Sequence, residues 1–211
     1  MRGDVTTVAI MSGPLVLLGY LTGAIAFTFA DRDREQRRPS ALGLEVFITA
    51  TFLSVAGFAI AELSPRNGLS RVALQSSQVL TVSQSLALWA GLALIVGHMA
   101  PPTRRFRGGS GLVPALVVVA INAPTLFLGS LVGFAAGLAV TGGRPRPAVP
   151  GALAFTLSVA WVAWVLEWNS GWGVANGPEL TLWAMVATGA LFARWLGGAD
   201  QADDEVDVNP S

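Results

Sequence analysis

The chain alternates between long uncharged segments and short segments that hold nearly all of its charge. The uncharged segments are residues 5–30, 46–61, 72–97, 108–143, 147–166 and 180–193. Several are long enough to cross a hydrocarbon core about 30 Å thick as helices, which takes roughly 20 apolar residues each. The two shortest reach this length only if the flanking Glu45 and Arg194 extend their side chains toward the membrane surface. The pattern predicts a helical membrane protein.

The fourth uncharged segment is too long for one ordinary crossing. Asn122-Ala123-Pro124 near its middle is a turn signal, because proline has no N–H group to donate within a helix. Dividing the segment there gives seven predicted helices. They cover residues 5–30, 44–62, 72–97, 110–122, 125–141, 151–167 and 180–196. The fourth is short, which favours a start within the membrane, behind a glycine-rich turn.

Composition agrees with this pattern and excludes several kinds of chemistry. Hydrophobic residues make up 53% of the chain and charged residues only 12%, too few charges to cover a soluble protein of this size. The first uncharged segment exceeds the roughly 7–15 apolar residues of a signal peptide, so we interpret it as a retained helix. The chain has no cysteine and no lysine, which excludes disulfides, thiolate chemistry and Schiff-base or amine nucleophiles.

The arginines predict the orientation, because cytoplasmic loops of membrane proteins collect basic residues. An arrangement with the amino terminus outside and the carboxy terminus cytoplasmic places ten of the 13 basic residues inside: Arg32, Arg34, Arg37, Arg38, Arg104, Arg105, Arg107, Arg144, Arg146 and Arg194. Five tryptophans flank the last outer loop, as in an interfacial aromatic belt: Trp161, Trp164, Trp168, Trp172 and Trp183. We therefore predict an all-α, multi-pass protein of the cell's inner (plasma) membrane, with seven transmembrane helices.

Two units are predicted along the chain. Residues 1–198 form the seven-helix membrane domain. Residues 199–211 carry five acidic side chains without an aromatic residue, which is typical of a solvated, disordered tail.

The inner loop "GHMAPPTRRFRGGSG", residues 97–111, is the main candidate for binding chemistry. Arginine side chains bind phosphate with two parallel hydrogen bonds, and consecutive glycines let backbone N–H groups approach an anion. Ser110 could donate to a phosphate or cap the fourth helix. The alternative is a basic turn that only sets the orientation of two helices.

His98 is the only histidine of the chain. Nothing beside it in the sequence would orient it for proton transfer, so a structural role is the alternative to a role in binding. Without a second histidine or a cysteine, we expect no metal site. No cofactor is expected either.

Residues 97–111 resemble the second signature of the bacterial acyl-phosphate:glycerol-3-phosphate acyltransferases, the PlsY family. In that signature a Gly-His pair, a proline, a basic-aromatic stretch and a Gly-Gly-Lys-Gly turn precede a helix. The matching positions are Gly97, His98, Pro101, Phe106, Arg107, Gly108, Gly109 and Gly111. Residues 19–27, GYLTGAIAF, are similar to the family's first helix. The resemblance covers about residues 15–198 and implies seven helices with the amino terminus outside.

The resemblance implies transfer of an acyl group from acyl phosphate to glycerol 3-phosphate, giving lysophosphatidic acid in phospholipid synthesis. It implies no metal and no acyl-enzyme intermediate. An acyl phosphate is already activated, so such a site mainly supplies proximity and neutralises charge.

The sequence departs from the family at all four of its site segments, and three of them, the first and third inner loops and the last helix, are eroded. Ser110 stands where the family has lysine, and Val149 and Ala152 stand where it has serines. The first inner loop, DRDREQRRPSALGLE, lacks the expected Gly-Ser-Gly-Asn and Gly-Ala-Thr-Asn signature, and the last helix keeps only Arg194 of an Arg-His-Arg cluster. The predicted phosphate- or substrate-binding residues are Arg37, Arg38, His98, Arg104, Arg105, Arg107, Gly108, Gly109, Ser110, Gly111 and Arg146.

Three hypotheses for the function follow. The first is an acyltransferase-like membrane protein with a degenerate site, weakly active or non-catalytic, that binds a lipid, an acyl phosphate or a protein partner. The second is an active acyltransferase whose arginines hold the phosphates, acting on glycerol 3-phosphate or a related acceptor.

The third hypothesis is a structural subunit of a membrane complex, motivated by Gly129, Gly133 and Gly137 at four-residue spacing. Packing within the same bundle is the alternative explanation of these glycines. Transport is disfavoured because Glu45, Glu62, Glu167 and Glu179 all lie at predicted helix ends. Membrane lipids are expected partners and nucleic acid is not.

Overall fold

The structure, a computed structural model, describes the backbone of residues 2–35, 40–63, 82–168 and 176–207, and within it the side chains of residues 12–31, 42–56, 84–168 and 176–197. This part of the chain folds into seven α-helices and contains no strand. They are α1 (Arg2–Glu35), α2 (Ser40–Leu63), α3 (Val82–Met99), α4 (Leu112–Asn122), α5 (Pro124–Val140), α6 (Pro145–Val165) and α7 (Pro178–Asp207). A short 3₁₀ helix, Pro102–Arg104, lies between α3 and α4.

The helices suit a membrane by length and composition. Four stretches are long and apolar enough to cross it: Ser12–Asp31, Gln84–Arg104, Pro145–Val165 and Pro178–Gly197. The apolar helices Leu42–Ala56, Leu112–Asn122 and Pro124–Val140 are shorter. Large apolar side chains such as Leu17, Phe47 and Leu128 are exposed on the outside of the bundle, as expected for a surface in contact with lipid. The all-helical prediction is confirmed, while seven crossings and their orientation stay predictions.

Several helix boundaries differ from those predicted. Helix α6 begins at Pro145 rather than at residue 151, because prolines in the first turn replace N–H groups that have no partner within the helix. Helix α1 is 34 residues long, about 50 Å at 1.5 Å per residue, and so exceeds the membrane core. Helix α7 continues to Asp207, past the predicted end at 196 and into the predicted tail, whose separation as a second unit stays a prediction. The predicted start of the third helix, residues 72–81, lies outside the described residues.

Helices α1 and α3 pack with their backbones in contact. A Cβ atom added to Gly23 would lie 2.0 Å from the carbonyl oxygen of Leu94, and one added to Gly97 would lie 2.0 Å from that of Tyr20. The Tyr20 hydroxyl donates to the carbonyl of Ala100 over 2.7 Å. Glycine at these two positions therefore permits the close approach, which holds the end of α3 and the following loop against α1.

The three glycines of α5 face α6 within the same bundle. A Cβ atom added to Gly129 would lie 3.1 Å from Val159, one added to Gly133 would lie 2.7 Å from Phe155, and one added to Gly137 would lie 2.9 Å from Ala148. This confirms the internal-packing explanation and removes the observation that motivated a structural subunit.

The core is formed mainly by side chains of α3, α4, α5 and α7. Leu88, Val118 and Leu126 are completely buried, and Trp183 is 2% exposed. The indole N–H of Trp183 donates to the carbonyl of Leu88 over 2.8 Å, so this tryptophan joins α7 to α3 inside the bundle. Its predicted place in an interfacial belt is therefore wrong, whereas Trp161 and Trp168 are exposed.

Candidate functional site

The glycine turn, residues 108–111, folds back onto the end of α3. The N–H of Gly108 donates to the carbonyl of Met99 over 3.0 Å, and the N–H of Gly109 donates to that of His98 over 3.1 Å. A Cβ atom at Gly108 would lie 2.2 Å from the His98 carbonyl oxygen, so only glycine fits this approach. These two N–H groups thus hold the turn in place. In this structure both N–H groups donate to carbonyls of α3 rather than facing the pocket, and a role of the two glycines in phosphate binding stays a prediction.

Further backbone N–H donors lie at the start of α4, which follows the turn directly. Gly111, with φ of 74°, is the N-cap residue of α4, and no side-chain cap is present there. The Ser110 hydroxyl accepts only a long contact of 3.4 Å from the N–H of Leu112. The first N–H groups of a helix have no partner within it and carry the positive end of its dipole. The turn and the start of α4 therefore present their polar groups beside Ser110.

The three arginines of the loop make other contacts or are exposed. Arg104 forms an ion pair with Asp31 of α1 over 2.8 Å, and Thr103 contacts Thr28 at 3.2 Å between their hydroxyl oxygens. Arg105 and Arg107 are exposed. None of these three arginines lines the pocket described below, so the structure does not bring them together with the glycine turn as a single cradle.

Arg194 of α7 ties the glycine turn to the last helix. Its Nε donates to the carbonyl of Gly109 over 3.2 Å, and one of its terminal nitrogens donates to the carbonyl of Gly108. A planar guanidinium with several N–H groups can hold two neighbouring carbonyls at once. The guanidinium of Arg194 is thus bound to the glycine turn in this structure.

Pro150 explains how α6 and α7 are joined beside the turn. Proline has no N–H group, so the carbonyl of Arg146, four residues earlier, receives no helical hydrogen bond from it. The indole N–H of Trp195 donates to this carbonyl over 3.1 Å. The link places Arg146 and Trp195 at the same edge of the bundle as Arg194.

These groups surround a pocket of about 440 Å³. It is lined by Gly108, Gly109, Ser110, Leu112, Phe134, Pro145, Arg146, Val149, Leu191, Arg194 and Trp195. Four of the predicted site residues, the two glycines, Ser110 and Arg146, therefore share one pocket. Its polar groups are two arginine side chains, one hydroxyl and the backbone of the turn, a set suited to an anion.

An apolar groove of about 180 Å³ continues from this pocket into the bundle. The two share Leu112, Phe134, Val149 and Leu191. Along α7 the groove runs from Leu191 to Trp183, roughly 12 Å at 1.5 Å per residue. Ala152, Ala184 and Ala187 line it with small side chains. A polar head in the pocket and an apolar chain in the groove would thus be bound end to end.

His98 lies beneath the turn rather than in the pocket. Its Nε2 lies 2.7 Å from Oε1 of Glu45 on α2, and both side chains are almost fully buried. Its ring meets that of Phe27 edge-on at 5.3 Å between centroids. Glu45 therefore lies inside the bundle, so its side chain does not lengthen the second apolar segment toward the surface. The partner that His98 lacks in the sequence is supplied by another helix.

Two predicted site residues, Arg37 and Arg38, lie outside the described residues. Sequence reasoning missed Glu45, Trp195 and Phe134. The only signal for Glu45 was a carboxylate next to an apolar segment, which requires a partner when buried. Trp195 and Phe134 gave no signal, because an aromatic residue on an apolar helix is ordinary.

The chain is similar in sequence and in fold to known glycerol-3-phosphate acyltransferases. A family model described as glycerol-3-phosphate acyltransferase matches residues 39–198. The glycerol-3-phosphate acyltransferase of Exiguobacterium sibiricum is 30% identical over 127 residues, which span 57% of this chain and 59% of that protein.

Two crystal structures of PlsY (YgiH), an integral membrane glycerol 3-phosphate acyltransferase, share the fold. They represent its glycerol 3-phosphate form and its lysophosphatidic acid form, with TM-scores of 0.61 and 0.57. Each is 18% identical in sequence, and the match covers 92% of this chain and 93% of that chain. Because the family model matches most of the sequence and the fold agrees over nearly all of it, the chain belongs to the glycerol-3-phosphate acyltransferase family.

Proposed function

We propose that this protein binds acyl phosphates at the cytoplasmic face of the plasma membrane and transfers their acyl group slowly to glycerol 3-phosphate. The observation that carries the proposal is the continuity between a pocket containing two arginines and an apolar groove. An acyl phosphate has the same two parts, an anionic head and an apolar chain. Its phosphate would lie beside Ser110 and Arg146, and its chain would extend between α4, α5, α6 and α7.

The reaction needs little from the protein beyond binding. The acceptor hydroxyl oxygen attacks the acyl carbonyl carbon, the bond from that carbon to the phosphate oxygen breaks, and inorganic phosphate leaves. The hydroxyl proton passes to the departing phosphate or to water. Proximity of the two substrates and neutralisation of their charges account for most of the acceleration in such a site.

The site supports binding better than fast turnover. Ser110 replaces the lysine that the family resemblance predicts, and the Arg194 guanidinium already donates to two carbonyls of the turn. Loss of one preorganised donor to a transition state costs about 2.7–4 kcal/mol, equivalent to a factor of about 10² to 10³ in turnover. A reduced set of cations therefore predicts a slow enzyme with its binding site retained.

Restoring the missing cation tests this proposal. Purified protein in lipid nanodiscs would be assayed with palmitoyl phosphate and glycerol 3-phosphate, and binding would be measured with dodecyl phosphate, an unreactive alkyl phosphate. We expect slow turnover by the natural protein and at least about a tenfold rise in kcat for Ser110→Lys. The affinity for dodecyl phosphate should be measurable in both proteins.

A matched control is Arg105→Lys, which keeps a cation at the exposed tip of the loop, outside the pocket. It should leave kcat unchanged. Absence of dodecyl phosphate binding to the natural protein would refute the proposed ligand. A kcat that Ser110→Lys does not raise would refute the explanation for slow turnover.

A second candidate is a fully active enzyme in which Arg146 takes the place of the lysine. The observation that favours it is that Arg146 lines the same pocket as the glycine turn. In that case the natural protein turns over rapidly and Arg146→Ala abolishes turnover. If the first candidate is correct, the same substitution weakens dodecyl phosphate binding about tenfold or more, and turnover is slow with or without it.

A further inference from the structure

A buried carboxyl group contacts the histidine below the glycine turn and has no role in the proposed acyl transfer. Glu45 is 1% exposed and lies one turn into α2, within an apolar stretch. A buried charge is costly unless another group compensates for it. Neither Glu45 nor His98 lines the pocket, so neither is in a position to touch a substrate there.

The two side chains connect α2 to α3 below the turn. His98 Nε2 lies 2.7 Å from Glu45 Oε1. The ring of Phe27 meets the imidazole edge-on, with 5.3 Å between the ring centroids. Neither ring nitrogen of His98 forms a well-aligned hydrogen bond with the residues that the structure describes. The orientation of the imidazole therefore depends on its contacts with Glu45 and with Phe27.

His98 in turn touches the glycine turn twice. Its carbonyl oxygen accepts from the N–H of Gly109 over 3.1 Å. Its ring lies so close to the turn that a Cβ atom on Gly109 would be 2.4 Å from Cε1. A rotation of the ring would consequently displace Gly109, and with it Ser110 at the edge of the pocket.

We propose that Glu45 is a positioning residue for the glycine turn and acts through His98. The carboxylate fixes the imidazole, the imidazole supports Gly109 from below, and Arg194 holds the same residue from above through its carbonyl. The inference rests on the proposed function in one respect, namely that the ordered turn forms the edge of an anion site. It assigns to Glu45 a role that the family resemblance does not supply.

Three substitutions of Glu45 separate the effect of its charge from the effect of its side-chain length. Glu45→Gln keeps the length of the side chain and one acceptor oxygen but removes the charge. Glu45→Asp keeps the charge but shortens the side chain by one methylene group. Glu45→Ala removes both. A positioning role predicts that Glu45→Gln resembles the natural protein and that Glu45→Asp and Glu45→Ala do not.

The turn can be observed directly because the chain contains no cysteine. A single Ser110→Cys substitution would carry a nitroxide spin label, and its spectrum would report motion of the turn. We expect a predominantly immobile label in the background protein and with Glu45→Gln, and a mobile component at least doubled with Glu45→Asp and Glu45→Ala. This measurement requires neither a substrate nor turnover.

The matched control is Glu179→Gln on α7. Glu179 is also partly buried and accepts hydrogen bonds from Ser85 and from the indole of Trp89. These residues lie in the first halves of α3 and α7, whereas the turn follows the end of α3, and none of them lines the pocket. Its substitution should leave the label at residue 110 unchanged. Equal mobilisation by Glu179→Gln would show general loosening of the bundle and overturn the positioning role.

Ligand binding supplies a second readout in the unlabelled protein. The Kd for dodecyl phosphate should rise about tenfold or more in Glu45→Asp and less than threefold in Glu45→Gln. If the natural protein does not bind dodecyl phosphate, the proposed function fails while the spin-label comparison still tests the positioning role. If Glu45→Ala does not fold, Glu45→Asp decides. An immobile label in folded Glu45→Asp would overturn the inference.

Discussion

The Nε of Arg194 lies 3.2 Å from the carbonyl oxygen of Gly109, and a second nitrogen of the same guanidinium donates to Gly108. The last helix thereby fixes the turn that follows the third. This arginine is the one member of the family's final cluster that the sequence keeps. Its contacts give a physical reason for its presence that does not require it to bind a substrate.

Replacement of Arg194 should therefore disorder the turn. We expect Arg194→Lys, which keeps the charge but lacks the planar guanidinium, to reduce stability and ligand affinity nearly as much as Arg194→Ala. Loss of hydrogen bonds from a charged donor costs about 1.5–3 kcal/mol. The thermal unfolding temperature in detergent and the Kd for dodecyl phosphate would measure the effect. Arg144→Ala, an exposed arginine outside the pocket, is the control, and an equal loss there would contradict the prediction.

Gly109 should not tolerate a methyl group. In Gly109→Ala the new Cβ would lie 2.4 Å from His98 Cε1 and 3.2 Å from the ring of Phe27, and both rings are buried. Overpacking of this kind costs about 1–3 kcal/mol. Gly189→Ala on α7 is the control, because nothing lies within 4 Å of the added atom. A thermal melt showing the two variants equally stable would refute the predicted contact.

The apolar groove should determine which acyl chains are used. Ala187 is 3% exposed and lines the groove between Trp183 and Leu191. In Ala187→Phe the ring would occupy the space of a long chain, and we expect kcat/KM to fall about tenfold or more for palmitoyl phosphate. Butyryl phosphate should be affected much less. Ala154→Phe, on the exposed side of α6, is the control, and equal losses for both chain lengths would contradict the assignment of the groove.

The orientation can be tested by labelling single cysteines in this cysteine-free chain. Residue 107 lies in the loop after α3, and residue 168 lies exposed after α6. We expect an impermeant maleimide to label Trp168→Cys on intact cells and to label Arg107→Cys only after the membrane is opened. The opposite order would invert the predicted topology and place the pocket outside. Labelling of residue 37 should match that of residue 107.

The hydrophobic pattern predicted the helices well because a membrane span requires continuous apolar length, which is a local property. The break at Pro124 is local for the same reason. Helix α6 starts earlier than predicted because proline is tolerated in the first turn of a helix, so Pro145 and Pro147 lie within α6 rather than before it. The family resemblance predicted the pocket only in part. Gly108, Gly109, Ser110 and Arg146 share it, whereas the arginines at 104, 105 and 107 do not.

The sequence by itself determined that the chain is helical and apolar, where its arginines collect and which turn carries the glycines, because these properties depend on composition and on neighbours along the chain. Only the tertiary structure decided which groups face that turn. The N–H groups of Gly108 and Gly109 donate to carbonyls of α3, and Arg194 donates to the carbonyls of the same two glycines. Glu45 on α2 contacts His98 on α3. Hydrogen bonds and buried charges are satisfied by whatever lies nearby in space, and the order of residues does not record that distance.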